Sequence, residues 1–205
     1  MTTQFVSLGQ LARRPAAPPF EQCDLCAAPV GADHRHVLDS ASGQVLCACQ
    51  ACAILLTGAE AGAGRRRLIP TRRVALSGEL LTDARWSSLH VPVGMAFFVR
   101  STEGDGARAY FPSPAGPTEA YLEDGAWQAI AAQESLLATM EPGVEALLVN
   151  RLDDRRDCYL APIDTCYRLV GLVRAYWHGF SGGSRLWDEI DRFFEELRET
   201  AHAQH

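Results

Sequence analysis

Residues 23–52, CDLCAAPVGADHRHVLDSASGQVLCACQAC, hold five of the seven cysteines in the chain. Two CxxC pairs, Cys23 with Cys26 and Cys49 with Cys52, are separated by 22 residues. A CxxC turn aims two sulfurs at one centre while nearby amide N–H groups soften the thiolate charge. Two such turns supply the four soft ligands of a tetrahedral metal site. The separation slightly exceeds the roughly 15–20 residues usual between paired CxxC motifs in zinc proteins, and it leaves room for a hairpin. HRHVLD and QVLCAC read as its strands, around the turn-forming Ser-Ala-Ser-Gly. QACAILL then reads as a helix with Cys49 and Cys52 at its start. Knuckle, hairpin and ligand-bearing helix start predict a small treble-clef module, with a plain zinc ribbon as the neighbouring variant.

Four thiolates suit zinc, a single iron of the rubredoxin kind, or a [2Fe–2S] cluster. Rubredoxin knuckles usually place Gly and Pro beside the cysteines, and CDLCAAP and CACQAC are poor in them. Zinc is therefore the expected ion and iron the alternative. Cys47 lies two residues before Cys49, so on a strand it points to the same face and could replace either member of the second pair. His34 and His36 are candidate imidazole ligands. Burial as a small hydrophobe suits Cys47 better, and a half-exposed strand suits the histidines better. A thioredoxin-like use of Cys23 and Cys26 needs a preceding strand, and PPFEQ does not supply one.

Outside this segment the texture is that of a globular protein: 205 residues, 47% hydrophobic and 21% charged. No run of 18 or more apolar residues suggests a spanning helix. Arg13-Arg14 briefly suggests a twin-arginine export signal, but PAAPPFEQ follows instead of an apolar run. The expectation is a cytoplasmic protein, where thiols stay reduced and disulfides are rare. All nineteen basic residues are arginine, a composition better explained by a GC-rich genome than by a physical requirement. Residues 1–80 carry eight arginines against six acids, and the remainder eleven against nineteen. The net charge of −6 makes nucleic acid an unlikely partner, although RRRLIPTRR is locally basic.

The chain divides into a tether over residues 1–20, the Cys-rich metal-binding module over 21–60, an Arg-rich linker over 61–79, and an α+β domain over 80–200. In that domain MAFFVRS (95–101) and ARAYFPS (107–113) flank TEGDG and predict one hairpin. EALLVNR (145–151) and DCYLAPI (157–163) flank LDDRR and predict a second. Trp127, Ile130, Ala131 and Leu137 predict a short helix between them. Cys166, Val170, Val173 and Trp177 recur on one face of a helix capped by Asp164. Leu186, Ile190, Phe193, Phe194 and Leu197 form the stripe of a last helix capped by Ser184. The expected fold class is α+β: the treble-clef or zinc-ribbon-like module followed by hairpins covered by helices.

There is no GxxxxGK[ST] and no HExxH in the chain. Cys158 and Cys166 have no histidine beside them in sequence, and burial is their expected role. YFPSPAGPTEAY (110–121) reads as a strand exit leading to a helix capped by Thr118, or as a rigid recognition loop. HGFSGGS (178–184) reads as a connector.

Several segments together carry a resemblance: CDLCAAPV, HRHVLD, LCACQACAILL, VPVGMAFFVRS, YFPSPAGPTEAYL, VEALLVNR, YLAPIDTCYRLVGLVRAYWHGFSGG and LWDEIDRFFEEL. Across about residues 20–200 the chain resembles an uncharacterised bacterial family, largely actinobacterial, whose genes lie beside those of uptake [NiFe]-hydrogenases. The resemblance implies a role in hydrogenase assembly, maturation or electron delivery, with a hydrogenase subunit or maturation factor as the protein partner. It also implies Cys23, Cys26, Cys47, Cys49 and Cys52 as the metal-binding part.

Overall fold

Residues 21–56 and 65–203 are described by the structure, a computed structural model. The tether expected over residues 1–20 and the Gly/Ala-rich stretch over 57–64 lie outside the described residues. Two sheets organise the rest. The smaller has the order β2-β1-β3, from β1 (Arg35–Asp39), β2 (Gln44–Ala48) and β3 (Arg66–Leu68). β1 and β2 form the hairpin expected from HRHVLD and QVLCAC, and helix α1 (Gln50–Leu55) follows directly. The Asp39 carboxylate closes the turn by accepting from the amides of Ala41 and Ser42 at 3.0 and 3.2 Å, the local bonding that favours Asp ahead of a turn.

The larger sheet has the order β10-β4-β9-β8-β5-β6-β7. Its strands are β4 (Val74–Leu76), β5 (Met95–Arg100), β6 (Ala107–Ser113), β7 (Gly116–Ala120), β8 (Glu145–Asn150), β9 (Asp157–Pro162) and β10 (His202–Ala203). All pairings are antiparallel except that of β10 with β4. The β5–β6 and β8–β9 hairpins are those expected, and β5 pairs with β8 to join them. Both faces of the sheet are covered, so β8 is buried at every residue and carries the apolar run ALLV between Glu145 and Asn150. Phe97, Leu148, Tyr159 and Ala161 point to the face packed by α5 (Ile163–Tyr176) and α6 (Ser184–Thr200). Phe98, Leu147, Val149 and Leu160 point to the other face. There Trp127 and Ile130 of α3 (Ala126–Ala131), Leu137 of α4 (Ser135–Ala138), Leu80, Leu81 and Leu89 cover them. Leu81 closes a 3-10 turn over Gly78–Leu81, and α2 (Asp83–Ser88) comes next. The fold class is mixed α+β.

Several expectations need correction. The Arg-rich stretch, read from sequence as a linker whose RRRLIPTRR segment is a solvated strand or a docking face, contains two short strands. β3 adds to the small sheet beside β1, β4 adds to the large sheet beside β9, and Ile69 between them is 1% exposed within the core shared with α5 and α6. Three-residue strands show no periodicity, and here the neighbouring strands supply what the local pattern lacks. The single helix expected around Trp127–Leu137 is two, because the Glu134 carboxylate accepts from the Leu136 amide at 3.1 Å and caps a new start. YFPSPAGPTEAY forms neither a helix start nor an open loop: Pro112 faces Pro117 and Ser113 faces Gly116 in a tight β6–β7 hairpin. β7 is an edge strand and the β5–β6 pairing ends at Phe97 with Tyr110, so neither proline interrupts a ladder on both sides. Pro162 and Gly183, not Asp164 and Ser184, occupy the cap positions of α5 and α6. Buried Leu186, Ile190, Phe193, Phe194 and Leu197 form the stripe expected of the last helix.

Candidate metal centre

The knuckle at Cys23 is held by backbone-to-backbone bonds. The Cys23 amide donates to Ala28 O and the Ala27 amide to Cys23 O, both at 2.8 Å. Ala27 takes φ +60°, the left-handed conformation that glycine more often supplies at such turns. The knuckle is tied to β2 from both sides: the Asp24 amide donates to Cys47 O at 2.8 Å, and the Cys47 amide donates to Asp24 Oδ2 at 2.6 Å. Cys49 is the N-cap of α1, its sulfur accepting from the Cys52 amide at 3.5 Å. One turn of helix therefore presents Cys49 and Cys52 together.

These elements bring Cys23, Cys26, Cys49 and Cys52 into one group, their sulfurs all within 4.8 Å of one another. Cys26 and Cys49 sulfurs are 3.7 Å apart, near the separation that bonds of about 2.3 Å to one tetrahedral ion impose. All seven cysteines are free thiols. Burial pushes the Cys23 thiol up, but the amides of Cys49, Leu25 and Cys26 aimed at its sulfur outweigh that and bring it down to about 6. The sulfurs of Cys26 and Cys49 hold the Cys52 proton, pushing that thiol up to about 12. The group thus carries a ready thiolate, and an incoming ion displaces the remaining protons. Four sulfurs so placed could hold a metal ion.

Cys47 does not join them. It sits opposite His36 in the β1–β2 register and groups with His34 and His36, one ligand atom of each within 4.8 Å of the others. Burial, then the charges of Asp24, Glu21 and Cys23, push its thiol up. Asp164, expected to cap a helix, lies in the first turn of α5 with Oδ2 2.7 Å from His36 Nδ1. No local signal pairs two residues 128 positions apart. Cys158 and Cys166 are buried in the body, 3% and 0% exposed.

The span from the knuckle to the end of α6 is also the span of a family match. The model of DUF5947, a family of unknown function, matches residues 22–201. The chain belongs to this family. No curated protein and no solved structure matches it. The matched span of the DUF5947 chain takes in the small sheet, the large sheet apart from β10, and the four-thiol group, so module and body belong to one family unit. No helix among the described residues is long and apolar enough to cross a membrane.

Proposed function

We propose that a zinc ion closes the four-thiol group as a structural centre in a treble-clef arrangement, and that the protein is a non-enzymatic accessory of a [NiFe]-hydrogenase acting through protein contacts. The observation that carries the first part is the convergence of Cys23, Cys26, Cys49 and Cys52 within 4.8 Å. The order of knuckle, hairpin and ligand-bearing helix supports the treble clef. Zinc is redox-silent and its binding free energy is folding free energy, which suits a segment with few buried apolar side chains of its own.

The partner half rests on the resemblance to a family whose genes adjoin those of uptake hydrogenases, and on apolar surface beside the centre. Ile54 and Leu55, on the helix that begins with the second thiol pair, are 59% and 73% exposed. Exposed apolar side chains on an ordered helix are the usual material of a protein contact.

Elemental analysis of anaerobically purified protein is expected to find zinc, retained by the wild type and lost from this centre in Cys26→Ser and Cys49→Ser. Visible absorption with iron in its place would favour an electron-transfer protein serving the hydrogenase. Pull-down from native extract is expected to recover a hydrogenase subunit or maturation factor; recovery of neither refutes the partner assignment.

A further inference from the structure

We propose that His34, His36 and Cys47 form a second metal site, separate from the four-thiol centre, that takes a zinc-class divalent cation with Asp164 orienting one of its imidazoles. Strand geometry places the three together. His36 and Cys47 are direct partners across the β1–β2 ladder, and His34 precedes His36 by two residues, so all three project to one face. One ligand atom of each lies within 4.8 Å of the others. Bonds of about 2.0–2.1 Å to nitrogen and 2.3 Å to sulfur in a tetrahedral site require ligand atoms roughly 3.3–3.6 Å apart. From separations of 4.8 Å at most, the ligand atoms close by no more than about 1.5 Å.

The nitrogen inventory identifies what each ring offers. His34 Nδ1 lies 2.8 Å from Gly31 O, an acceptor only, so Nδ1 carries the proton and donates. Its Nε2 is then an acceptor, buried and without a hydrogen-bond partner, in a side chain only 8% exposed. A buried acceptor left unsatisfied is unfavourable, and a metal ion at Nε2 removes the deficit. His36 repeats the arrangement: Nδ1 faces Asp164 Oδ2 at 2.7 Å, leaving Nε2 to bind. A carboxylate or carbonyl on one ring nitrogen with the metal on the other is how ligating histidines are commonly held. Asp164 is itself fixed, its Oδ1 accepting from the Thr165 amide at 2.6 Å.

Two imidazoles and one thiolate make a borderline-soft set suited to zinc. Three protein ligands leave a coordination position for water or an anion. The two histidines and Asp164, but not Cys47, line a cleft of about 620 Å³ together with Arg35, Arg73 and Arg168. The site also spans the two sheets, because His36 and Cys47 belong to the small one and Asp164 begins the helix that covers the large one.

The test is metal stoichiometry of the full chain reconstituted anaerobically with Zn²⁺ alone. The wild type is expected to hold two zinc ions per chain. His36→Gln and Cys47→Ser should each hold one, and Asp164→Asn should weaken the second equivalent by about 10–100-fold. Cys26→Ser also removes one equivalent, but from the four-thiol centre. Co²⁺ distinguishes the two, since the equivalent lost in Cys47→Ser carries a one-thiolate charge-transfer spectrum and the other a four-thiolate one. Circular dichroism verifies folding, and His34→Gln provides a second variant if His36→Gln misfolds. A wild type that binds one zinc, lost in Cys26→Ser and unaffected by either histidine change, overturns this inference and leaves the four-thiol proposal standing. Two zinc ions retained in both histidine variants overturn it equally.

Discussion

Arg72→Met tests whether the stretch between β3 and β4 is a structural brace. Arg72 Nε and Nη2 donate to Glu145 Oε1 and Oε2 at 2.6 and 2.8 Å, and Nη2 also donates to Thr139 O at 2.8 Å. Glu145 opens β8 and is 0% exposed; its other polar contact is the Glu141 amide at 2.8 Å. Methionine keeps much of the apolar stem and removes the charge, stranding a buried carboxylate. Breaking a buried ion pair from one side costs about 3–5 kcal/mol. The Arg72 side chain is 39% exposed, so water reaching it places the loss near the lower end, about 3 kcal/mol. At roughly 2–4 °C per kcal/mol for a chain of this size, Tm should fall by about 6–12 °C. Thermal unfolding by circular dichroism at fixed zinc concentration measures this, since bound metal shifts Tm by mass action. Arg72→Met with Glu145→Leu removes the stranded charge and should recover most of the loss. A fall below about 2 °C, or a double variant no better than the single, refutes the reasoning.

Three further outcomes are expected. Iodoacetamide at pH 8, read by mass spectrometry, should modify the clustered cysteines only after chelation. Cys158, which burial pushes up to about 12, and Cys166, which burial pushes up further, should resist until denaturant is added. Cys49→Ser removes a ligand and the sulfur cap of α1, so limited proteolysis should cut first within residues 21–56 and spare the large sheet. Asp39→Asn removes a carboxylate that burial alone would raise but that the Ser42 and Ala41 amides and Arg65 hold below its ordinary range. A lowered native pKa contributes stability above the unfolded value of about 3.9, lost as pH falls through the native one. Urea unfolding should show the variant weaker at pH 7 and converging on wild type below pH 4; a constant gap contradicts the assignment.

Readings that survived were local ones. The β1–β2, β5–β6 and β8–β9 hairpins announce themselves by strand-like apolar segments flanking turn residues, and α6 by a stripe recurring every three to four positions. Strands β3, β4 and β10 are three, three and two residues long, too short for any period, and exist because distant strands present open edges to them. Asp164 looks like a helix cap in sequence because Asp ahead of an apolar stripe usually is one. In the fold its carboxylate is drawn to His36 instead.

The amino-acid order alone determines that Cys23, Cys26, Cys49 and Cys52 can converge, because each CxxC turn sets its two sulfurs side by side and the hairpin between them returns the chain to its start. It does not determine the company of Cys47. On a strand, neighbouring side chains alternate faces, and which cross-strand partner each one meets depends on register. The register that pairs Cys47 with His36 sets it apart from the four thiols, and the packing of α5 against the small sheet supplies Asp164 from 128 residues away. Non-local pairing of this kind leaves no trace in any short window of the chain, so only the folded molecule reveals it.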